Sequence, residues 1–488
     1  MTIRDLFKGV PILALAGEED LDISELAYSS KDVQPGFLFA ALRGTKQDGF
    51  AFVAEAIGRG AAAVLSDRPR PQGVETPWIQ VFDPREALAL AAANFHGHPA
   101  YKMKLVGITG TKGKTTTTYI LESILKEAGF AAGVLGTINY RGPGFSFEAA
   151  RTTPEAPDLH RILADMLARG VTHCVMEVSS HALDLKRVAG MSFDAAVFLN
   201  LSGEHLDYHH TMEEYFAAKK KLFTLNAKKR TAVVNEDDPW GKRLIAELPL
   251  NTITFGFDPA ALVRAERYRT NGAGIEALLR YPGGQIMLTS PLSGKHNLSN
   301  ILASFAVALA LNVPPQKIKD GIAALKRVPG RFEKVPNDLG LNVFVDYAHT
   351  DASLRSLLET AGEMKPGRII LVFGAGGDRD RTKRPRMGEA AGLFADWTIL
   401  TSDNPRSEDP RAIIAEIEEG FLATGSRKYE IVPDRREAIA GALGFAKKGD
   451  YVLIAGKGHE TYQITGDRTL PFSDVEVASG IMKTMGAK

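Results

Sequence analysis

Apolar runs of strand length alternate with amphipathic stretches along nearly the whole chain. GFLFAAL (36–42), AAAVLS (61–66) and WIQVF (78–82) read as strands, with helical pattern at 48–59 and 84–96. The turn-rich segment HGHPAYKM (96–103) breaks this rhythm and places a boundary near residue 98. A second region opens on the strand KLVGIT (104–109), followed by a glycine-rich turn and a helix at about 115–128. HCVMEV (173–178), AAVFLN (195–200) and TAVVN (231–235) are further strands separated by helical pattern. The polar, Gly-rich stretch 256–295 reads as short antiparallel strands, and helices at 297–311 and 315–326 precede the breaker VPGR (328–331). A third region repeats the alternation with NVFVDY (342–347), RIILVFG (368–374), DWTILTS (396–402) and YVLIAG (451–456).

Strands alternating with helices imply an α/β protein whose largely parallel sheets are covered on both faces. At roughly 150 residues per domain the length implies three domains, placed at 1–98, 99–328 and 329–488. The strands of the third region end in the polar clusters DYAHT, GAGGDR, SDNPR and GKGHE. Ligands of open parallel sheets bind beyond the carboxyl ends of the strands. One such cluster could be a surface turn; four together point to a ligand cleft.

Composition narrows the function. With 59 Lys plus Arg against 58 Asp plus Glu, the net charge is +1. Coating nucleic acid or an anionic membrane needs a broad field of one sign, so neither is expected as a partner. The single cysteine, Cys174, rules out a disulfide framework, a cysteine-based zinc finger and an iron–sulfur cluster. Its apolar surroundings predict a buried core thiol. The N-terminus lacks the features of a signal peptide, and the longest apolar runs are too short to span a bilayer. A cytoplasmic, soluble protein is expected.

The strongest single motif is GITGTKGKTTTTY (107–119). Glycines allow backbone N–H groups to curl around an anion, and the following helix N-terminus adds its dipole. Lys114 can reach the β and γ phosphates, and the Thr115 hydroxyl can ligate Mg²⁺. The general pattern GxxxxGK[ST] asks for glycine where Ile108 stands, so this is a G-x-x-G-K-T variant. A Gly/Thr-rich turn without ligand is the plain alternative. ATP use is favoured by the strand–turn–helix context, and hydrolysis, kinase action and ligation all stay open.

Downstream, Glu177 ends a strand in MEVSSHALDLKRV (176–188), where an acid can hold Mg²⁺ across from Thr115. Ser179, Ser180 and Arg187 can meet an anionic substrate, although serines there also serve as helix N-caps. The segment 199–223 carries His205, Asp207, His209 and His210. A histidine helping to hold a second Mg²⁺ fits better than zinc, for which no matched second cluster exists. Lys219, Lys220 and Lys221 could form a solvated helix face.

Taken in order, GTKGKTT, EVSSHAL, GEHLDYHH, AAKKKLF, GKHNLSN, PGRFE, DYAHT, DNPR and GKGHE resemble the motifs of the Mur ligases, the ATP-dependent amino-acid ligases of peptidoglycan precursor synthesis. SSKDVQPGFLFAALRG (29–44) resembles their uridine-nucleotide domain, so the likeness covers nearly the whole chain. DNPR with GGDR and GKGHE is similar to members that add meso-diaminopimelate to UDP-MurNAc-L-Ala-D-Glu. The resemblance implies a uridine-nucleotide domain, a central P-loop ATPase-type parallel sheet and a C-terminal Rossmann-like domain that binds the amino acid. A monomer is expected.

It also implies roles. Gly110, Thr111, Lys112, Gly113, Lys114, Thr115, Thr116, Asn300, Arg331 and Asp346 would bind ATP. Ser30, Thr152, Thr153, Ser179 and Arg187 would hold the UDP-linked substrate. Arg379, Asp403, Asn404, Pro405, Arg406, Gly456 and Glu460 would form the diaminopimelate pocket. Lys219 matches a lysine that is carbamylated (N6-carboxylysine) and would ligate Mg²⁺ with Thr115, Glu177 and His205. Lys114, Glu177, His205 and Lys219 would be catalytic. Two positions depart from the family pattern: Asp351 replaces a proline after DYAHT, and Leu185 stands where diaminopimelate enzymes often carry glutamine. A lysine-adding ligase of the same family and a P-loop regulator without ligase activity are the competing readings.

Overall fold

The structure is a computed structural model and describes residues 1–44, 47–225, 231–248 and 251–486. It is an α/β chain of two compact units, one comprising residues 1–265, 280–286 and 300–321, the other 266–279, 287–299 and 322–488. Among the described residues no helix is long and apolar enough to cross a membrane.

The first unit begins with a five-stranded sheet in the order 14–16, 78–80, 63–66, 37–40, 25–27. All pairs are parallel except 14–16 with 78–80. The three strands expected here are present; 14–16 and 25–27, three residues each, are additional. Helix Pro84–Phe95 starts where Asp83 accepts the N–H groups of Arg85 and Glu86 and Pro84 fills the first turn. Its alanine-rich face packs on the sheet beside Leu65 and Ile79.

The larger sheet of this unit places Lys104–Thr109 at its centre, between Ala195–Phe198 and His173–Glu177. Strands 231–235 and 251–256 extend it on one side and 132–135 on the other, all parallel. The hairpin 139–142 and 145–148 then adds antiparallel strands. Its polar sequence, NYRGPGFSFE, hides it from a search for apolar runs. Gly107 is required mid-strand, because a Cβ there would lie 2.8 Å from the Phe193 ring. Cys174 is fully buried among apolar side chains, and burial pushes its thiol up to about 12. Between 256 and 295 the expected short strands are 9, 8 and 7 residues long, at Val263–Asn271, Gly274–Tyr281 and Gly284–Ser290.

The sheet of the second unit runs 333–334, 342–346, 451–455, 369–373, 397–400, 429–431. Only 333–334 is antiparallel. Strand 451–455 is inserted between 342–346 and 369–373, so consecutive strands diverge at their carboxyl ends. That is the crevice where open α/β sheets take ligands. Asp351 opens helix Asp351–Glu363, capped by a reciprocal Thr350–Ser353 box. A first helical position suits proline and carboxylate alike, which explains how the departure is absorbed; Asp351 also pairs with Arg386 at 3.4 Å.

Candidate active site

In the first unit the turn after Lys104–Thr109 leads directly into helix Lys114–Glu127. Gly110 and Gly113 have φ of 153° and 88°. A Cβ on Gly113 would collide with Asn300 Oδ1, so glycine is needed for both conformation and space. Asn200 clamps the loop: its Oδ1 accepts the Lys112 N–H at 2.9 Å and its Nδ2 donates to the Lys112 carbonyl at 3.2 Å. The helix N-cap Gly113 offers no side chain to the first N–H groups, which leaves them for an anion. Thr115 and Thr116 are buried beside them. Gly113→Ala is expected to raise the nucleotide Kd at least about tenfold, since a strained left-handed residue costs of order 1–3 kcal/mol before the clash is counted. Nucleotide titration by calorimetry checks this; unchanged affinity would contradict it.

Two lysine amines meet at this loop. Lys114 Nζ donates to the carbonyls of Gly110 (2.8 Å) and Thr111 (2.9 Å), and Lys219 Nζ donates to Gly110 at 3.0 Å. Lys219 is 1% exposed and its amine lies 4.4 Å from the Tyr215 ring centroid. Burial, then the charge of Lys114, pushes its pKa well below that of an ordinary lysine. Lys220 and Lys221 instead pair at the surface with Glu247 and Asp184. Only the latter two follow the solvated-face reading. His205 stands at φ 58°, with its ring 5.0 Å from that of His181. Burial above all pulls its pKa down to about 4, so the imidazole is neutral at pH 7. His209 faces Ser180 Oγ at 2.9 Å.

Glu177 is buried at the end of its strand, with Oε1 accepting the Thr137 N–H (2.9 Å) and Oε2 the Thr137 hydroxyl (3.0 Å). Thr152 Oγ1 lies 3.1 Å from Thr137 Oγ1. Thr153 Oγ1 donates to the Glu177 carbonyl at 2.8 Å and accepts the Ser179 N–H at 3.1 Å. Ser179 Oγ caps helix Ser180–Asp184, and Leu185 closes it by donating to the His181 carbonyl. Arg187 Nη1 donates to the Thr153 carbonyl at 3.0 Å. Thr152, Thr153, Glu177, Ser179 and Arg187 thus form one connected group. Ser30 lies outside it, donating to Glu55 Oε2 at 3.0 Å.

By the chemistry of their donors alone, the candidate ligands suit a divalent cation on one condition. Among the described residues no three His, Cys, Asp or Glu side chains group as metal ligands. A neutral His205, a carboxylate at Glu177 and the Thr115 hydroxyl are suitable donors. An ammonium at Lys219 is not; a carbamate would be, and only a neutral amine can form one.

The second unit gathers the other candidates at its strand ends. Asn404 Nδ2 donates to Glu460 Oε2 at 2.8 Å, and Lys457 Nζ bridges Asn404 Oδ1 (3.0 Å) and Glu460 Oε2 (3.1 Å). Lys457 is fully buried. Asp403, also buried, has its pKa raised by desolvation, with Arg435 and Lys457 opposing. Gly456 (φ 116°) leaves the space that Asp403 Oδ2 occupies. Arg406 (φ 52°) uses Nη1 toward the carbonyls of Gly377 (2.8 Å) and Asn404 (3.4 Å), which leaves its Nε–Nη2 edge for a carboxylate. A Cβ on Gly376 would lie 3.0 Å from Arg406 Nη1 and 3.8 Å from Arg379 Cγ, so both arginines flank this glycine. Arg379 itself is exposed, and Pro405 backs onto Gly377. Arg331 sits over the Tyr347 ring at 5.1 Å with its Nε buried and without a hydrogen-bond partner. Asp346 accepts the N–H groups of Phe332 (2.7 Å) and Ala348 (2.8 Å), while desolvation raises its pKa.

The sequence reading missed Asn200, Thr137, Tyr215, Glu155 and Lys457. Glu155 lies two residues after Thr153, and Lys457 stands inside the motif GKGHE. Nothing local marks Thr137, and Asn200 shows only as the polar end of the run AAVFLN; their partners are 40 and 88 residues away.

A phosphate loop on a parallel sheet, with a two-signed cluster at the strand ends of a second α/β unit, defines a nucleotide-using enzyme. Family models agree: the Mur ligase family, catalytic domain matches residues 22–96, the Mur ligase middle domain 108–308, and the Mur ligase, glutamate ligase domain 330–458. The chain belongs to the Mur ligase family. It is 44% identical to UDP-N-acetylmuramoyl-L-alanyl-D-glutamate–2,6-diaminopimelate ligase of Geobacter metallireducens, over 100% of this chain and 99% of the relative. The enzyme of the same name from Solibacter usitatus is 45% identical over 95% and 94%. A solved structure of a ligase with that name, 31% identical, matches with a TM-score of 0.73 over 100% of this chain and 99% of that one.

Proposed function

We propose that this protein is a cytoplasmic, monomeric ATP-dependent ligase that adds meso-diaminopimelate to the D-Glu γ-carboxylate of UDP-MurNAc-L-Ala-D-Glu, releasing ADP and phosphate. The observation that carries the reading is the strand-end cluster of Arg406, Asn404, Lys457 and Glu460 in a chain that also holds a phosphate loop. A regulator that only hydrolyses ATP has no use for a zwitterion pocket.

The γ-phosphate passes to the D-Glu γ-carboxylate, giving an acyl phosphate and ADP. The amine of diaminopimelate attacks the acyl carbon, and phosphate leaves from the tetrahedral intermediate. Carboxylate and triphosphate repel, so cations must offset their charge. Loop residues 110–116 cradle the phosphates, with Lys114 as the cation. The family likeness also gives Asn300, Arg331 and Asp346 contacts to ATP. Thr152, Thr153, Ser179 and Arg187, with Ser30 at the uridine end, hold the UDP-linked dipeptide. Thr115, Glu177, His205 and carbamylated Lys219 would hold Mg²⁺, which supplies charge neutralisation at the phosphates when bound.

Diaminopimelate differs from lysine by one carboxylate, and a guanidinium grips a carboxylate through two parallel hydrogen bonds. Arg406, with Arg379 nearby, takes that role. Asp403 and Glu460 meet the ammonium at the same stereocentre, Asn404 and Gly456 shape the pocket, and Pro405 holds the turn. Lys457 orients Asn404 and Glu460 from behind. Lys457→Met is expected to raise KM for diaminopimelate about tenfold or more, because it removes the buried cation that holds Asn404 Oδ1 and Glu460 Oε2 in place and a lost charge-assisted hydrogen bond costs about 1.5–3 kcal/mol. KM for ATP should stay within about twofold. Equal changes in both would contradict the positioning role.

Phosphate release with UDP-MurNAc-L-Ala-D-Glu and ATP tests the function, with diaminopimelate or L-lysine supplied separately. Release with diaminopimelate alone is expected. Release that needs neither amino acid would support the regulator reading instead.

A further inference from the structure

Glu155 is ringed by three guanidiniums. Arg187 Nη2 lies 2.8 Å from its carboxylate, Arg151 Nη1 3.7 Å and Arg85 Nη1 3.9 Å. They come from separate places: the first turn of helix Pro84–Phe95, the loop after strand Phe145–Glu148, and the segment after helix Ser180–Asp184. One carboxylate cannot neutralise three permanent cations. The nearby acids are committed elsewhere, Asp83 and Glu86 to Lys186 and Asp158 to Tyr28 and Arg161. Arg187 is 7% exposed, yet its Nε is buried without a hydrogen-bond partner. Burial lowers the pKa of Arg187, and Arg151 and Arg85 lower it further against the pull of Glu155. The cluster carries more positive charge than its surroundings offset, and one donor is still unused.

Its place identifies the anion. Arg187 is tied to the Thr153 carbonyl, and the Thr153 hydroxyl to the Glu177 carbonyl. The cluster therefore adjoins the strand end where the D-Glu γ-carboxylate would be activated. The α-carboxylate of the same residue keeps its charge throughout the reaction. We infer that Arg85 and Arg151 join Arg187 in binding the α-carboxylate of D-glutamate, so that the enzyme selects D-Glu over its α-amide, D-isoglutamine. This rests on the ligase reading above, and a binding measurement keeps the two separable.

The test uses the full chain and calorimetry, without ATP or diaminopimelate, with three probes: UDP-MurNAc-L-Ala-D-Glu, its D-isoglutamine counterpart and UDP. Wild type is expected to bind the D-Glu ligand at least about tenfold more tightly than the amide. Arg151→Gln and Arg85→Gln should each lose most of that ratio by weakening only the D-Glu ligand. Arg151 is about half exposed, so its replacement is the safer for folding, and Arg151→Lys should keep part of the preference. Equal weakening of D-Glu and amide ligands would overturn the inference. So would matching loss of UDP affinity, which would make the diphosphate the anion. Wild-type binding of the dipeptide with no ligation of diaminopimelate would defeat the functional reading while leaving this inference to be judged by the affinities.

Discussion

Lys219→Ala should cripple ligation, lowering kcat by a factor of about 10²–10³, the scale set by removing one electrostatic element from a preorganised site. The reason lies in the charge of the loop. Two amines, Lys114 and Lys219, converge on the Gly110 carbonyl. As an ammonium, Lys219 would place a second cation beside Lys114 in a buried space. Burial and Lys114 both favour its neutral form. A neutral amine can add CO₂ with loss of a proton, and a carbamate formed there would carry negative charge where an ammonium carries positive, as a ligand for Mg²⁺ must. Short carboxylates added to Lys219→Ala should therefore restore part of the activity, because they can occupy the vacated volume with the same charge. Lys219→Arg, whose side chain stays cationic, should not recover under any additive. Full activity of Lys219→Ala with no additive would remove this residue from the mechanism.

Arg406→Ala should lower kcat/KM for diaminopimelate about 10²–10³-fold, because losing a bidentate charge-assisted pair in a closed site costs about 2–5 kcal/mol. The affinity for ATP should move less than about twofold, since Arg406 is anchored within its own strand-end cluster on Gly377 and Asn404. No use of L-lysine should appear in the variant either, because losing the guanidinium removes a grip on diaminopimelate without creating one for lysine. Steady-state kinetics with each amino acid separates these terms. Parallel losses for ATP and diaminopimelate would mean that the substitution had damaged the fold of the second unit instead of its selectivity.

Much of this architecture could be read from the chain because its buried parallel strands are continuous apolar runs. Strands 104–109, 195–198, 369–373 and 451–455 are each almost wholly buried, and each stands where its run predicts it. The strands that escaped have no such run: 14–16 and 25–27 are three residues long, and the hairpin at 139–148 is half polar. For the site, motif order carried the reading further than any single motif. What it could not supply was the environment of each residue. Three consecutive lysines, 219 to 221, look alike in the sequence, yet packing against Tyr215 and the loop makes only Lys219 an internal amine. Glu155 is one more acid in the sequence, and only the fold brings Arg85, Arg151 and Arg187 around it.

The most direct test of the account is a competition. The protein is incubated with ATP, UDP-MurNAc-L-Ala-D-Glu and equal concentrations of meso-diaminopimelate and L-lysine, and the nucleotide-linked products are weighed by mass spectrometry. The predicted result is a single product heavier by one diaminopimelate residue, formed in step with ADP. A product carrying lysine, or ADP formed while the UDP-linked dipeptide keeps its mass, would contradict it.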